Sequence, residues 1–166
     1  MALTDSFCKN APTKPKIKYN SAFDALIVYG QKLAKETGQR WTANRTSVYT
    51  AVLSASKPIT AYAVLDKVAA ATNTPMKPAS IYRALEALCQ LELVVKIESL
   101  NAYVACHHPH EKHQHVFLVC NDCGNTCEIA DQGVGKHLKQ QASQHGFSTM
   151  RQVLELHGSC NKCPSE

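Results

Sequence analysis

The chain has 166 residues, a mass of 18.2 kDa and a formal net charge of +5. With 45% hydrophobic and 19% charged residues it has a globular composition, which excludes wholesale disorder, and at this length folding buries about 70% of the unfolded surface. No apolar run approaches the roughly 20 residues of a membrane span, and the polar N-terminus lacks the apolar stretch of a secretion signal.

Residues 1–20 carry Pro12, Pro15 and scattered lysines, and read as a flexible tail. From Ala22 to Thr37, the apolar residues Phe23, Leu26, Ile27, Leu33 and Ala34 follow helical spacing, and Gly38 is a natural stop. Arg45–Ser54 predicts a second helix, with Val48, Ala51 and Val52 inward and Thr42 or Asn44 as cap. Thr60 suits the cap of a third, with Val64, Leu65 and Val68 on one face. Pro78 fits the first position of a fourth helix, whose buried stripe is Ile81, Leu85 and Leu88. Two β-rich runs, Leu93–Glu98 and Ala102–Cys106, form a hairpin through Ser99, Leu100 and Asn101. Helices followed by a hairpin make a winged helix-turn-helix, in which the helix before the wing enters the major groove. Pattern alone fits a small helical bundle equally well.

The second part reads as a small α/β unit. His115–Cys120 is a strand, Thr126–Ile129 a second, Gly133–His145 a helix stopped by Gly146, and Phe147–His157 strand-like. The expected organisation is a tail at 1–20, a winged-helix domain at 21–105 and a metal-binding α/β domain at 106–166, an α+β chain overall. The two main parts differ in chemistry. Residues 1–105 carry thirteen Lys/Arg against seven Asp/Glu, whereas 106–166 carry five against six. All eight His and six of the eight Cys fall in the second part. A basic part suggests a polyanion partner, although a solvated basic surface explains the charge as well.

With no secretion signal the compartment is expected to be reducing, so clustered cysteines read as metal ligands rather than disulfides. Cys120-x-x-Cys123 and Cys160-x-x-Cys163 are identical pairs with 36 residues between them. Two residues between thiolates let one turn place both sulfurs on one ion, and two such turns complete a tetrahedron that suits structural zinc. Iron–sulfur ligation favours other spacings, and a redox pair needs only one such motif. The segment from Cys106 to His115 holds five His and a thiol in ten residues, more than a core requires. Glu128 follows the first pair on a strand, while Cys127 points to that strand's other face and is left out. This mixed thiolate, imidazole and carboxylate set suits zinc better than magnesium or calcium. Some of His107, His108 and His110 read as surface residues, which leaves a third metal site among them open. A metal at the end of the wing would bias the arrangement of the two domains, and this is the logic of a sensor.

Four segments resemble the ferric-uptake-regulator superfamily, and within it the zinc uptake regulators of bacteria. They are Pro78-Ala-Ser-Ile-Tyr-Arg-Ala-Leu85, Glu98-Ser-Leu-Asn-Ala-Tyr-Val-Ala-Cys106-His107, Phe117-Leu-Val-Cys-Asn-Asp-Cys-Gly124 and His157-Gly-Ser-Cys-Asn-Lys-Cys163. With the helix order, the resemblance covers residues 22–163. It implies a cytoplasmic homodimer with an N-terminal winged helix and a C-terminal dimerisation domain, which represses transcription from palindromic operator DNA when zinc is replete. Carried over by position, Cys120, Cys123, Cys160 and Cys163 hold structural zinc. Cys106, His113 and Glu128 match regulatory ligands, and Tyr62, Arg83 and Arg45 match DNA contacts, to which Ser80 and Tyr82 in the recognition motif are added. Val95 stands where one well-matched member has a ligand His, so His115 is the candidate fourth ligand, ahead of Glu98. Ala69 stands beside Asp66 where an arginine that pairs neighbouring dimers is expected.

Two other readings accompany this one. An iron or peroxide sensor of the same superfamily is disfavoured by the soft Cys106 thiolate. A zinc-dependent metalloenzyme needs an open coordination position and a substrate pocket, and the sequence offers no nucleophile motif or second acid–base pair. The chain is therefore read as no enzyme and as having no membrane partner.

Overall fold

The computed structural model describes residues 19–73, 76–106, 109, 115–130, 132–150 and 152–163. They fall into two compact units, the first ending at Pro109 and the second running from His115 onward. Among the described residues, no helix is long and apolar enough to cross a membrane.

The first unit is built from helices α1 (Tyr19–Glu36), α2 (Ala43–Leu53), α3 (Ala61–Thr72) and α4 (Pro78–Gln90) and strands β1 (Ile59–Thr60), β2 (Val94–Ile97) and β3 (Ala102–Ala105). Local chemistry sets the boundaries. Thr42 caps α2 by accepting from the Arg45 amide, and Thr60 caps α3 by accepting from the Ala63 amide. Pro78 opens α4, and the Lys77 side chain caps nothing. At the end of α1, the Gln39 amide donates to the Ala34 carbonyl and the Gly38 amide to Lys35. Gly38 has φ +70°, a value that costs a residue without a side chain nothing.

The hairpin β2–β3 turns at Asn101, φ 45°, whose amide donates to the Glu98 carbonyl. Strand β3 is central, with β1 and β2 antiparallel on either side. β1 is absent from the sequence reading: two residues carry no period, and only the pairing Ile59–Tyr103 and Thr60–Ala102 makes them a strand. The core gathers Val48, Tyr49 and Val52 of α2, Val64 and Val68 of α3, and Ile81, Leu85 and Leu88 of α4. This is a winged helix-turn-helix, and the bundle alternative falls with it.

The second unit has β4 (His115–Cys120), β5 (Thr126–Ala130), α5 (Gln132–Gln144) and β6 (Val153–Gly158). Strand β4 lies between β5, antiparallel, and β6, parallel. The expected strand over Phe147–His157 is shorter than predicted. Phe147 belongs to the end of α5, where its amide donates to the Ala142 carbonyl and that of Gly146 to Ser143. This six-to-one and five-to-two pattern takes the chain through Phe147 before a strand can start, and Phe147 and Met150 stay exposed.

Candidate metal centres and nucleic-acid interface

The four-cysteine cluster follows from strand register. Parallel pairing of β4 with β6 sets Cys120 beside Gly158, and the Asn121 amide donates to the Gly158 carbonyl. Each strand then runs into a turn at the same end of the sheet. The first turn brings in Cys123, and the Gly124 amide donates to the Cys120 carbonyl. The second brings in Cys160 and Cys163, and the Cys163 amide donates to the Cys160 carbonyl. All four sulfurs lie within 4.8 Å of one another. The separations are 3.8 Å for Cys120–Cys163, 3.9 Å for Cys123–Cys160 and 3.6 Å for Cys160–Cys163. A tetrahedron with zinc–sulfur bonds of 2.3 Å has edges of about 3.8 Å, so the cluster fits zinc in donor type and in size.

The surroundings favour thiolate at one corner. The Cys123 backbone amide, with those of Cys160 and Asp122, holds the Cys120 thiol down to about 6 from its ordinary 9.0, against the opposing effect of burial. The Cys160 amide lies 3.3 Å from that sulfur. Cys163 is pushed upward, first by its hydrogen bond with Cys160 and then by burial. Four thiolates side by side need a divalent cation to balance them.

A second group of ligand types lies on the same sheet. His115 Nδ1 and Glu128 Oε1 are 2.7 Å apart, with His115 only 7% exposed. Glu128 stands opposite Phe117 in the β4–β5 register, and Cys127 stands opposite Leu118 on the other face. The His115 ring stacks on Phe117, with centroids 6.1 Å apart and an 11° interplanar angle. Two ligands bound to one zinc at about 2.0–2.1 Å have donor atoms roughly 3.3 Å apart. The pair is therefore hydrogen-bonded and would open slightly to admit an ion. Cys106 lies just after β3 in the first unit, is 1% exposed, and its amide donates to the Leu93 carbonyl. His113 lies outside the described residues, as do His107, His108 and His110. Val95 is buried in β2 opposite Val104 and contributes only to packing.

The expected DNA contacts all belong to the first unit. Because Ile81, Leu85 and Leu88 turn inward, Tyr82 and Arg83 face out from the first turns of α4. The N-terminal turns of α2 and α4 line one cleft of about 220 Å³, with Thr42, Asn44, Arg45, Ser80, Arg83 and Ala84 on its walls. The Arg45 guanidinium donates to the Arg40 carbonyl, which anchors the head of the side chain. Two arginines and two helix N-termini make this cleft attractive to anions. Arg45, Ser80 and Arg83 are thus brought together. Tyr62 on α3 and Tyr82 on α4 do not line the cleft but are 67% and 45% exposed, large aromatics on an open surface. In the sequence Thr42 and Asn44 offer only alternative caps. Their place beside two candidate DNA contacts carries no sequence signal, because it depends on how α2 packs against α4.

A family model described as "Ferric uptake regulator family" matches residues 36–157. The zinc uptake regulation protein of Escherichia coli K12 is 32% identical over 139 residues, which cover 83% of this chain and 81% of that protein. The crystal structure of holo XcZur is 38% identical, with a TM-score of 0.73, and the match covers 86% of this chain and 98% of that one. A zinc uptake regulator complexed with zinc and DNA is 30% identical, with a TM-score of 0.77, and the match covers 86% and 95%. The motifs, the winged helix and the thiolate tetrahedron agree with these comparisons: the chain belongs to the ferric uptake regulator family.

Proposed function

We propose that this protein is a zinc-responsive transcriptional repressor. As a homodimer in the cytoplasm it grips palindromic operator DNA when zinc is replete, and it controls zinc uptake genes. The observation that carries the reading is the arginine-lined cleft on the reading side of α4, in a fold similar to that of a zinc uptake regulator holding zinc and DNA. Arg83 reads a base edge, Ser80, Tyr82 and Tyr62 flank it, and Arg45 contacts phosphate. Two winged helices in a dimer address half-sites about one turn of duplex apart. Exposed Leu138, Phe147 and Leu156 in the second unit support self-association through that unit. No catalytic step belongs to this function.

Zinc has two roles in the reading. Cys120, Cys123, Cys160 and Cys163 hold a structural ion, as the sulfur separations support. Cys106, His113, His115 and Glu128 hold the regulatory ion, supported by the closeness of His115 to Glu128 and the placement of Cys106 at the end of the wing. A thiolate in that set favours zinc over iron. An ion that takes Cys106 as a ligand couples metal binding to the DNA-binding unit, because it favours whichever arrangement binds it more tightly. Cys106→Ser tests the assignment. The variant is expected to fold with its structural zinc and to lose the tightening on DNA that added zinc gives the wild type. An undiminished zinc response would remove Cys106 from the regulatory site.

A further inference from the structure

The cleft between α2 and α4 has donors left over once local hydrogen bonding is satisfied. Thr42 is spent on the start of α2: its Oγ1 accepts from the Arg45 amide at 3.3 Å, and its carbonyl accepts from the Thr46 amide at 3.1 Å. Arg45 gives one guanidinium nitrogen to the Arg40 carbonyl and keeps the rest of its fork. Ala84 is buried and offers only a methyl group. Among the described residues, the side chains of Asn44, Ser80 and Arg83 have no hydrogen-bond or ion-pair partner. None of the six residues on the walls is acidic.

Charge and shape select the guest. Two guanidinium groups with no carboxylate on the same walls attract an anion, and a cleft of about 220 Å³ admits a compact one. In a DNA-binding head the reading helix meets base edges, while contacts to phosphates set its register on the duplex. Asn44 stands on α2 rather than on the reading helix α4, and its side chain is much shorter than that of Arg83. Its amide nitrogen carries two donors, and a phosphate oxygen is an acceptor only.

We propose that the cleft seats a phosphate of the DNA backbone and that the Asn44 side-chain amide donates to it beside Arg45. The seated phosphate sets where Arg83 meets the bases. This inference rests on the reading of the first unit as the DNA-binding head, and it gives a role to a residue that the reading leaves without one. Asn44 is uncharged, so its contact adds a directed hydrogen bond and no counterion release. It acts on every sequence alike, because a phosphate carries no base identity.

The test uses zinc-loaded full chains and two duplexes: one selected from a random pool by the wild type, and a scrambled one of the same length and composition. Affinity is measured by fluorescence anisotropy over a range of salt concentrations. Asn44→Ala is expected to weaken binding to both duplexes by the same factor, about 10-fold, which is the effect of one hydrogen bond to a charged group. Its salt dependence should match that of the wild type. Asn44→Asp separates contact from folding. An acidic residue in the first turn favours a helix N-terminus, so thermal stability should hold or rise. The carboxylate repels the phosphate, so the loss on both duplexes should exceed that of Asn44→Ala. Uncharged methylphosphonate linkages, placed one at a time along the selected duplex, locate the partner. At one linkage wild type and Asn44→Ala should bind equally, as the two sides of one contact do. Equal binding of the two proteins to the unmodified duplexes would overturn the inference. A loss confined to the selected duplex would make Asn44 a base reader and overturn it as well. So would a difference that persists at every linkage, or a thermal destabilisation of Asn44→Asp, which would mark a role in starting the helix. If the wild type selected no duplex from the pool, the reading of the first unit as a DNA-binding head would fall, and this inference with it.

Discussion

The two units are held together by different physics. Of the largest fully buried side chains, all but Phe117 belong to the first unit, where α2, α3 and α4 close on Tyr49, Ile81, Leu85 and Leu88. Among the described residues, the second unit has a three-stranded sheet, one helix and little apolar bulk, and at one end of the sheet two turns bring four sulfurs together. The first is held by a buried apolar core. In the proposed function the second substitutes coordination for burial, as small units with thin cores do. A repressor benefits from this difference, because the reading head stays folded while metal occupancy changes.

The strongest way to break the comparison is Cys123→Ser. Structural zinc sites contribute roughly 10–16 kcal/mol of apparent binding energy to folding, so the amides of β4 and β6 should lose protection from hydrogen exchange while those of α2 and α4 keep theirs. Equal loss in both units would mean that one cooperative core holds the chain. The converse experiment is Leu85→Ala. A fully buried leucine truncated to alanine costs about 2–5 kcal/mol, and here the loss should appear in denaturant unfolding of the first unit, with zinc content per chain unchanged. Arg83→Ala, on the open side of the same helix, should leave both units as stable as before. It should remove about 1–3 kcal/mol of preference for operator over random DNA while most non-specific affinity persists. A uniform loss on all sequences would make Arg83 a phosphate contact instead.

Much of this was legible in the sequence because it was local. The caps Thr42 and Thr60, Pro78 at the head of α4, the stops at Gly38 and Gly146 and the inward stripe of α4 each depend on a few neighbouring residues. The four-cysteine cluster was legible despite its long separation, because two CxxC pairs have few other uses. Features set by packing were not. Strand β1 exists only through β3, the start of β6 is delayed by the Phe147 cap, and the cleft joining Arg45 to Arg83 needs α2 against α4.

In the proposed function one exchangeable zinc converts a folded, structurally loaded protein into a tight DNA binder. Its most direct test is a DNA-binding titration against free zinc, with metal stoichiometry measured on the same sample. Binding is expected to be weak at one zinc per chain, with a sharp rise in operator affinity as the second zinc enters. Equal grip on the operator before and after the second zinc is added would contradict it.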